Sequence, residues 1–322
     1  MINHPSVSAP KSAHWLSPVL TDLTLALGIV LVGWQTVAGS LPTEVQMVVF
    51  VGLLAGAGVP HGALDHLIDK ETATRQKKPF SMTWFLAKYL LIVSVYGLIW
   101  LWVPAFCLGL FLIGSAWHFG ETDIERVPPT PVWMLTRFVA GGFVLAFILL
   151  THSAEVTPIL ERITHQNPLA MAVWQWFSTN AGIILPAWAI LTVGLFGLAL
   201  WVCHVTVDGI RMVRLGALLV LCYYLPLLPA FGLYFGGWHA LSSFCTIGTY
   251  LRQTGSSARV IWQVWLKSLP FTGFALLGLV LFGWLCQQWA PGWDPLPLVF
   301  VFLSLITLPH LSVMHGMNRR TY

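Results

Sequence analysis

Long apolar runs, broken by short polar stretches, dominate this chain. A helix that crosses a bilayer needs about 20 mainly apolar residues. The pattern predicts ten such helices: 22–39, 45–63, 82–103, 104–119, 133–151, 181–203, 213–228, 230–250, 262–285 and 297–316. Two divisions rest on length. Residues 82–119 as one helix would reach about 57 Å at 1.5 Å per residue, nearly twice the hydrocarbon thickness, so the run is divided at Pro104. Residues 213–250 pose the same problem, and Pro226 and Pro229 mark the turn. The polar residues 1–18, with Pro5, Pro10 and Pro18, read as a tail, and 19–318 read as one transmembrane helical domain. Val37-Ala38-Gly39-Ser40 has the small residues of a signal-peptidase site, but no basic segment opens the chain, so the first helix is read as uncleaved. Residues 152–180 read as the longest loop, outside the cytoplasm, with Trp174, Trp176 and Phe177 in an interfacial half-helix.

Composition agrees. Of 322 residues, 57% are apolar and 9% charged, against about 25% charged in soluble domains. That excludes a soluble globular protein, a disordered chain and a disulfide scaffold. The five cysteines lie in apolar stretches without metal-site spacing and read as small core residues. A net charge of +4 gives no reason to invoke nucleic acid. Ten crossings put both termini on one side, and of the 16 Lys and Arg residues only Arg162 falls on the other. Lys88, Arg137 and Lys267, in first turns, would reach back to the basic side. Basic residues collect in the cytoplasm, which makes both termini cytoplasmic in an all-α, polytopic protein of the inner (plasma) membrane.

Eleven histidines are many for such a chain. His4, His14, His152 and His165 fall in the tail and the external loop and read as solvated. The other seven fall in the cytoplasmic half of outward-to-inward helices: His61 and His66 in 45–66, His118 in 104–120, His204, His239 in 230–250, and His310 and His315 in 297–316. Histidines converging at one depth from several helices are what a metal site in a bundle requires, and imidazole suits iron, copper, zinc or nickel. His61 (Gly56-Ala57-Gly58-Val59-Pro60-His61-Gly62), His118 (Gly114-Ser115-Ala116-Trp117-His118-Phe119-Gly120) and His239 (Gly236-Gly237-Trp238-His239) stand among small residues that permit close helix approach. They and His310, after Pro309, read as ligands. His204 reads as a packing residue, and His66 and His315 stay open between the two roles. Asp65, four residues after His61, shares its helix face. Asp65 and Glu121 are the acidic candidates at the centre, Asp65 orienting an imidazole rather than acting as a base.

Gly58-Val59-Pro60-His61-Gly62-Ala63-Leu64-Asp65-His66 and His118-Phe119-Gly120-Glu121-Thr122-Asp123 resemble the two N-terminal signatures of the Brp/Blh family, bacterial and archaeal β-carotene 15,15′-dioxygenases associated with retinal supply for rhodopsins. Trp238-His239 and Pro309-His310 resemble its later signatures, so the likeness covers about 45–315. The resemblance implies a membrane enzyme with one non-haem Fe(II), a carotenoid substrate and O2, cutting the central double bond of β-carotene into two retinals. By motif the ligands would be His61, His118 and His239, with a fourth histidine four residues later, where this chain has Ser243. His310 or His315 takes that place, or water does, or the chain has another substrate or no cleavage activity. Phe119, Phe235, Trp238 and Phe244 are candidates to line a slot for the polyene, and their faces would stabilise a cationic intermediate. A C40 polyene is about as long as the hydrocarbon core, roughly 30 Å, so with the histidines near one surface it would lie obliquely or enter between helices.

Other readings compete. A di-iron desaturase would carry HxxxH and HxxHH boxes, which the chain lacks. One-sided histidines argue against two haems but permit one. A transporter or carotenoid/retinal-binding protein would use the histidines for binding or proton relay. The number of chains that assemble is not legible.

Overall fold

A computed structural model describes residues 16–251, 257–289 and 295–321, and every regular element among them is helical. In order these are α1 (Leu16–Ala38), α2 (Thr43–Leu53), the π-helix π1 (Leu54–Gly58), α3 (Val59–Gly62), α4 (Asp65–Arg75), α5 (Met82–Trp102) and α6 (Pro104–Asp123). Then come α7 (Pro131–Thr151), α8 (Ser153–Ile163), α9 (Pro168–Thr179), α10 (Ala181–Cys203), α11 (Gly209–Tyr224) and α12 (Leu227–Gly232). A second π-helix, π2 (Leu233–Ala240), leads into α13 (Leu241–Tyr250), followed by α14 (Ser257–Trp289) and α15 (Leu296–Thr321). Residues 1–15 of the expected tail, with His4, Lys11 and His14, lie outside the described residues, as do Arg252 and the side chains of Arg319 and Arg320; residues 16–18 open α1.

Each of the ten predicted segments is helical. Among the described residues seven helices are long and apolar enough to cross a membrane: Val19–Ala38, Thr43–Arg75, Met82–Trp102, Pro131–Thr151, Ala181–Cys203, Arg259–Gln288 and Leu296–Asn318. The segments outside this set are α6, α11 and the run α12–π2–α13. α11 has 16 residues. α6 carries His118, Glu121 and Asp123, and the α12–π2–α13 run carries His239, Ser242 and Ser243, all of them buried. These polar, buried helices form the inside of the bundle. α5, α10 and α14 turn large apolar side chains outward, among them Trp102, Ile190 and Phe274, as a hydrocarbon solvent demands.

Two expectations change. The long loop is two helices, α8 and α9, with Trp174 on α9 donating from Nε1 to Thr157 at 2.8 Å. Asn167 caps α9 by accepting from the Ala170 N–H, and Pro168 fits the first turn, where an N–H would have no partner. Arg137 does not reach back to an interface: it is buried in α7 and donates from Nε to the Ile124 carbonyl at 2.9 Å. The last carbonyls of a helix have no partner within it, and a buried arginine is a suitable donor there.

α6 and α7 touch backbone to backbone. A Cβ at Gly120 would stand 1.8 Å from the Arg137 carbonyl oxygen, and one at Gly141 2.0 Å from that of Ala116. Neither neighbour is a flexible side-chain tip, so only glycine fits. Gly141→Val should therefore force the helices apart at a cost of about 3 kcal/mol or more. The expected outcome is a large fall in melting temperature of the detergent-solubilised protein, measured by intrinsic fluorescence; an unchanged transition would contradict the close packing.

Candidate metal centre

Both π-helices lie at histidines. A π-helix misaligns the i→i−4 ladder and frees carbonyls, and such segments are frequent at functional sites. In π1 the Gly58 carbonyl accepts from His61 Nδ1, and the Gly56 carbonyl accepts from Trp265 Nε1 at 2.8 Å. In π2 the Gly237 carbonyl accepts from the Thr24 hydroxyl at 2.7 Å. Glycines let the two segments meet: a Cβ at Gly58 would strike the Phe235 ring at 2.8 Å, and one at Gly236 the Leu53 carbonyl oxygen at 2.6 Å.

Four buried imidazoles converge there, His61, His118, His239 and His310. Donor atoms of His61, His118 and His310 all lie within 4.8 Å of one another. His239 stands beside them, its ring 4.6 Å from that of His118 and 5.3 Å from that of His61, between centroids. His310 Nδ1 donates to Asp65 Oδ1 at 2.7 Å. With Nδ1 of His61 and of His310 spoken for, Nε2 of each is the lone-pair nitrogen, the usual state of a metal-ligating histidine. His118 Nε2, His310 Nε2 and both nitrogens of His239 are buried without a hydrogen-bond partner. Buried polar atoms are normally satisfied. Unsatisfied imidazole nitrogens that face one another fit a transition-metal ion.

The acidic candidates have other partners than their spacing suggests. Asp65 does not bond His61. The helix breaks between α3 and α4 at Ala63 and Leu64, and Asp65 turns to His310 on α15. Glu121 accepts from His315 Nδ1 at 3.0 Å and from Asn318 Nδ2 at 3.3 Å, apart from the four histidines. His66 bonds the Ala63 carbonyl and packs on Phe271, and His204 ends α10 exposed in the left-handed conformation. Ser243 is turned away: its hydroxyl bonds the His239 carbonyl at 2.9 Å, inside its own helix. His165 is exposed as expected, but His152 is not solvated. It is buried, with Nδ1 at 2.7 Å from the Ile148 carbonyl oxygen and Nε2 at 2.7 Å from that of Leu225.

An apolar cavity ends on His61, His118 and His310 and extends to Val156 and Ile159 of α8. Phe119 and Phe235 line it, and Ser115 and Thr307 are its only polar lining residues besides the histidines. Trp238 and Phe244 are not in its wall. Phe244 is in the core beside α14 and α15, and Trp238 donates from Nε1 to Asp123 Oδ1 at 2.8 Å. Asp123 stood beside Glu121 among the carboxylates that follow His118 but was given no role of its own, and Arg211 was not singled out from sequence. Asp123 lies in the stretch after His118, where Glu121 drew the attention, and Arg211 reads as an ordinary loop cation.

A family model described as beta-carotene 15,15'-dioxygenase matches residues 47–318. The chain is 27% identical over 295 residues to a protein named beta-carotene 15,15'-dioxygenase from the uncultured marine bacterium 66A03, covering 89% of this chain and 94% of that one. No solved structure matches.

Two substitutions test the ligand geometry. Asp65→Ala should weaken metal binding about 10–100-fold, the usual cost of losing an orienting partner, and Ser243→Ala should leave it unchanged. Anaerobic iron(II) titration of the purified protein measures both; the opposite ranking would return the ligand role to position 243.

Proposed function

Because the chain belongs to the beta-carotene 15,15'-dioxygenase family, we propose that it cleaves the central double bond of β-carotene with O2 into two retinals, at one non-haem iron(II) within the membrane. The observation that carries this reading is an apolar cavity whose wall includes three histidines with converging nitrogens. His61, His118 and His310 would hold the iron, with His239 beside them as a fourth ligand; of these, His310 would take the place that Ser243 leaves empty. When bound, iron(II) with open positions supplies O2 activation.

The remaining contributions come from the protein. The reaction balances without a reductant: the C=C bond and both oxygen atoms become two C=O groups. Away from the histidines, Ser115, Thr307 and Trp100 the lining is aliphatic or aromatic, so the cavity favours an apolar polyene over water. One half of the polyene would lie along the slot toward α8, with the central carbons at the histidines. The Phe119 and Phe235 rings, beside His239 at 4.8 and 5.8 Å, would flank those carbons and stabilise positive charge on the chain. Asp65 holds the His310 imidazole and keeps its proton on Nδ1. Glu121, paired with His315, would act only from outside this shell. The ten helices are read as ten crossings of the cell's inner membrane with both termini cytoplasmic, since that topology leaves Arg162 alone on the far side.

Expression in β-carotene-accumulating bacterial cells, followed by chromatography of extracted pigments, tests the reading. Retinal should accumulate with the parent chain and be absent with His61→Ala. Leu149→Trp, which fills the slot away from the histidines, should lower retinal yield about tenfold or more, equivalent to ~1.4 kcal/mol at the barrier, with bound iron retained. Intact β-carotene over a folded, iron-loaded parent chain would sink the cleavage reading and favour carotenoid binding; a shorter apocarotenal would move the cut.

A further inference from the structure

We infer that Asp123 is the positioning residue for His239 and determines whether this histidine joins the other three; the inference rests on the reading of these histidines as a metal centre. His61 is oriented by the Gly58 carbonyl and His310 by Asp65. His239 has no such partner on either nitrogen. Its ring touches Phe119, Phe235 and His118, and ring contacts restrain it far less directionally than a hydrogen bond does.

The directional restraint comes through the backbone. Trp238, the preceding residue, donates from Nε1 to Asp123 Oδ1 at 2.8 Å, and the Tyr234 hydroxyl donates to Asp123 Oδ2 at 2.9 Å. The two donors stand four residues apart on π2, so one carboxylate grips the segment at two points. This grip sets the rotation of a helix type whose own ladder is irregular. Asp123 is on α6, five residues after His118, so the helix that carries one imidazole holds the segment that carries the other. All three side chains are buried, Asp123 at 1% exposure, and water does not compete for the carboxylate.

A buried carboxylate is costly unless its charge is met. Arg211 meets it. Its guanidinium donates to the Asp123 carbonyl at 3.2 Å and the Thr122 carbonyl at 2.8 Å, pairs with Glu125 at 3.3 Å, and lies over the Trp238 ring, 5.0 Å from its centroid. Arg211 thus caps α6 and packs on the indole that Asp123 holds.

The full chain in detergent, loaded with cobalt(II) as a spectroscopic probe, tests this. The comparison is parent, His61→Ala, His239→Ala, Asp123→Leu and Trp238→Phe, the last keeping an aromatic ring while removing the Nε1 donor. Absorption bands of cobalt report the number of nitrogen ligands, and transfer to a chelator reports release. Asp123→Leu and Trp238→Phe should each give the His239→Ala spectrum and release cobalt about 10–100-fold faster than the parent. A merely structural role would lower the melting temperature and leave the spectrum of the folded fraction parental. Parental spectra and release in folded Asp123→Leu, or in Trp238→Phe if the former does not fold, would overturn the inference. A parental spectrum in His239→Ala would overturn it too while leaving a three-histidine centre. No cobalt uptake by the parent, or equal uptake by His61→Ala, would overturn the metal centre itself and the inference with it.

Discussion

Inside an apolar bundle there is no water to satisfy a polar atom, so each must find its partner within the protein. Much of the architecture follows from that one constraint. Tyr96, deep between α5 and α15, bonds the Cys107 carbonyl and Ser304. His152 bridges two carbonyls, and Glu155, one turn on, accepts from the Leu227 N–H at the start of α12. Carbonyls at the end of α6 receive Arg137 and Arg211. Where the rule holds, the structure is closed. Where it lapses at imidazole nitrogens, on His118, His239 and His310 from three different helical segments, the molecule is open to chemistry.

Close backbone approach makes that convergence possible. Imidazoles on separate helices come within a few ångströms of one another only if the helices themselves nearly touch. The glycines of π1, π2, α6 and α7 allow it, and the π-helical turns add the free carbonyl that His61 uses. Apolar side chains are left to face outward, and α10, the most hydrophobic of the candidate crossing helices, is among the least buried.

Much of this was legible in the sequence, and the part that was not has a common cause. Apolar runs and prolines located the helical segments because each depends on local length and hydropathy. Glycine-flanked histidines at 61, 118 and 239 announced close approach, which is also locally encoded. Partnership across helices is not. The i, i+4 spacing of His61 and Asp65 pointed to a shared face, but two non-helical residues between α3 and α4 redirect the carboxylate to α15. Trp238 read as a slot aromatic because its indole N–H has no visible partner in sequence; the partner is 115 residues away. Arg137 and Arg211 read as interfacial because an arginine's carbonyl targets are set by tertiary packing alone. The amphipathic α8 passed for a loop, and α9 was read only as an interfacial half-helix around Trp174, Trp176 and Phe177, because each is too short for a crossing.

The pair formed by Asp65 and His310 spans 245 residues of chain, and this has a consequence for biogenesis. A ribosome delivers α2 and α6 to the membrane long before α15, so for most of synthesis His61 and His118 wait without the third member of their group. Nascent chains stalled before α15 would hold His61, His118 and His239 but lack His310 and its pairing with Asp65, so the group would be incomplete. If the group binds a metal, the complete set of four histidines would be available only once the bundle is nearly whole.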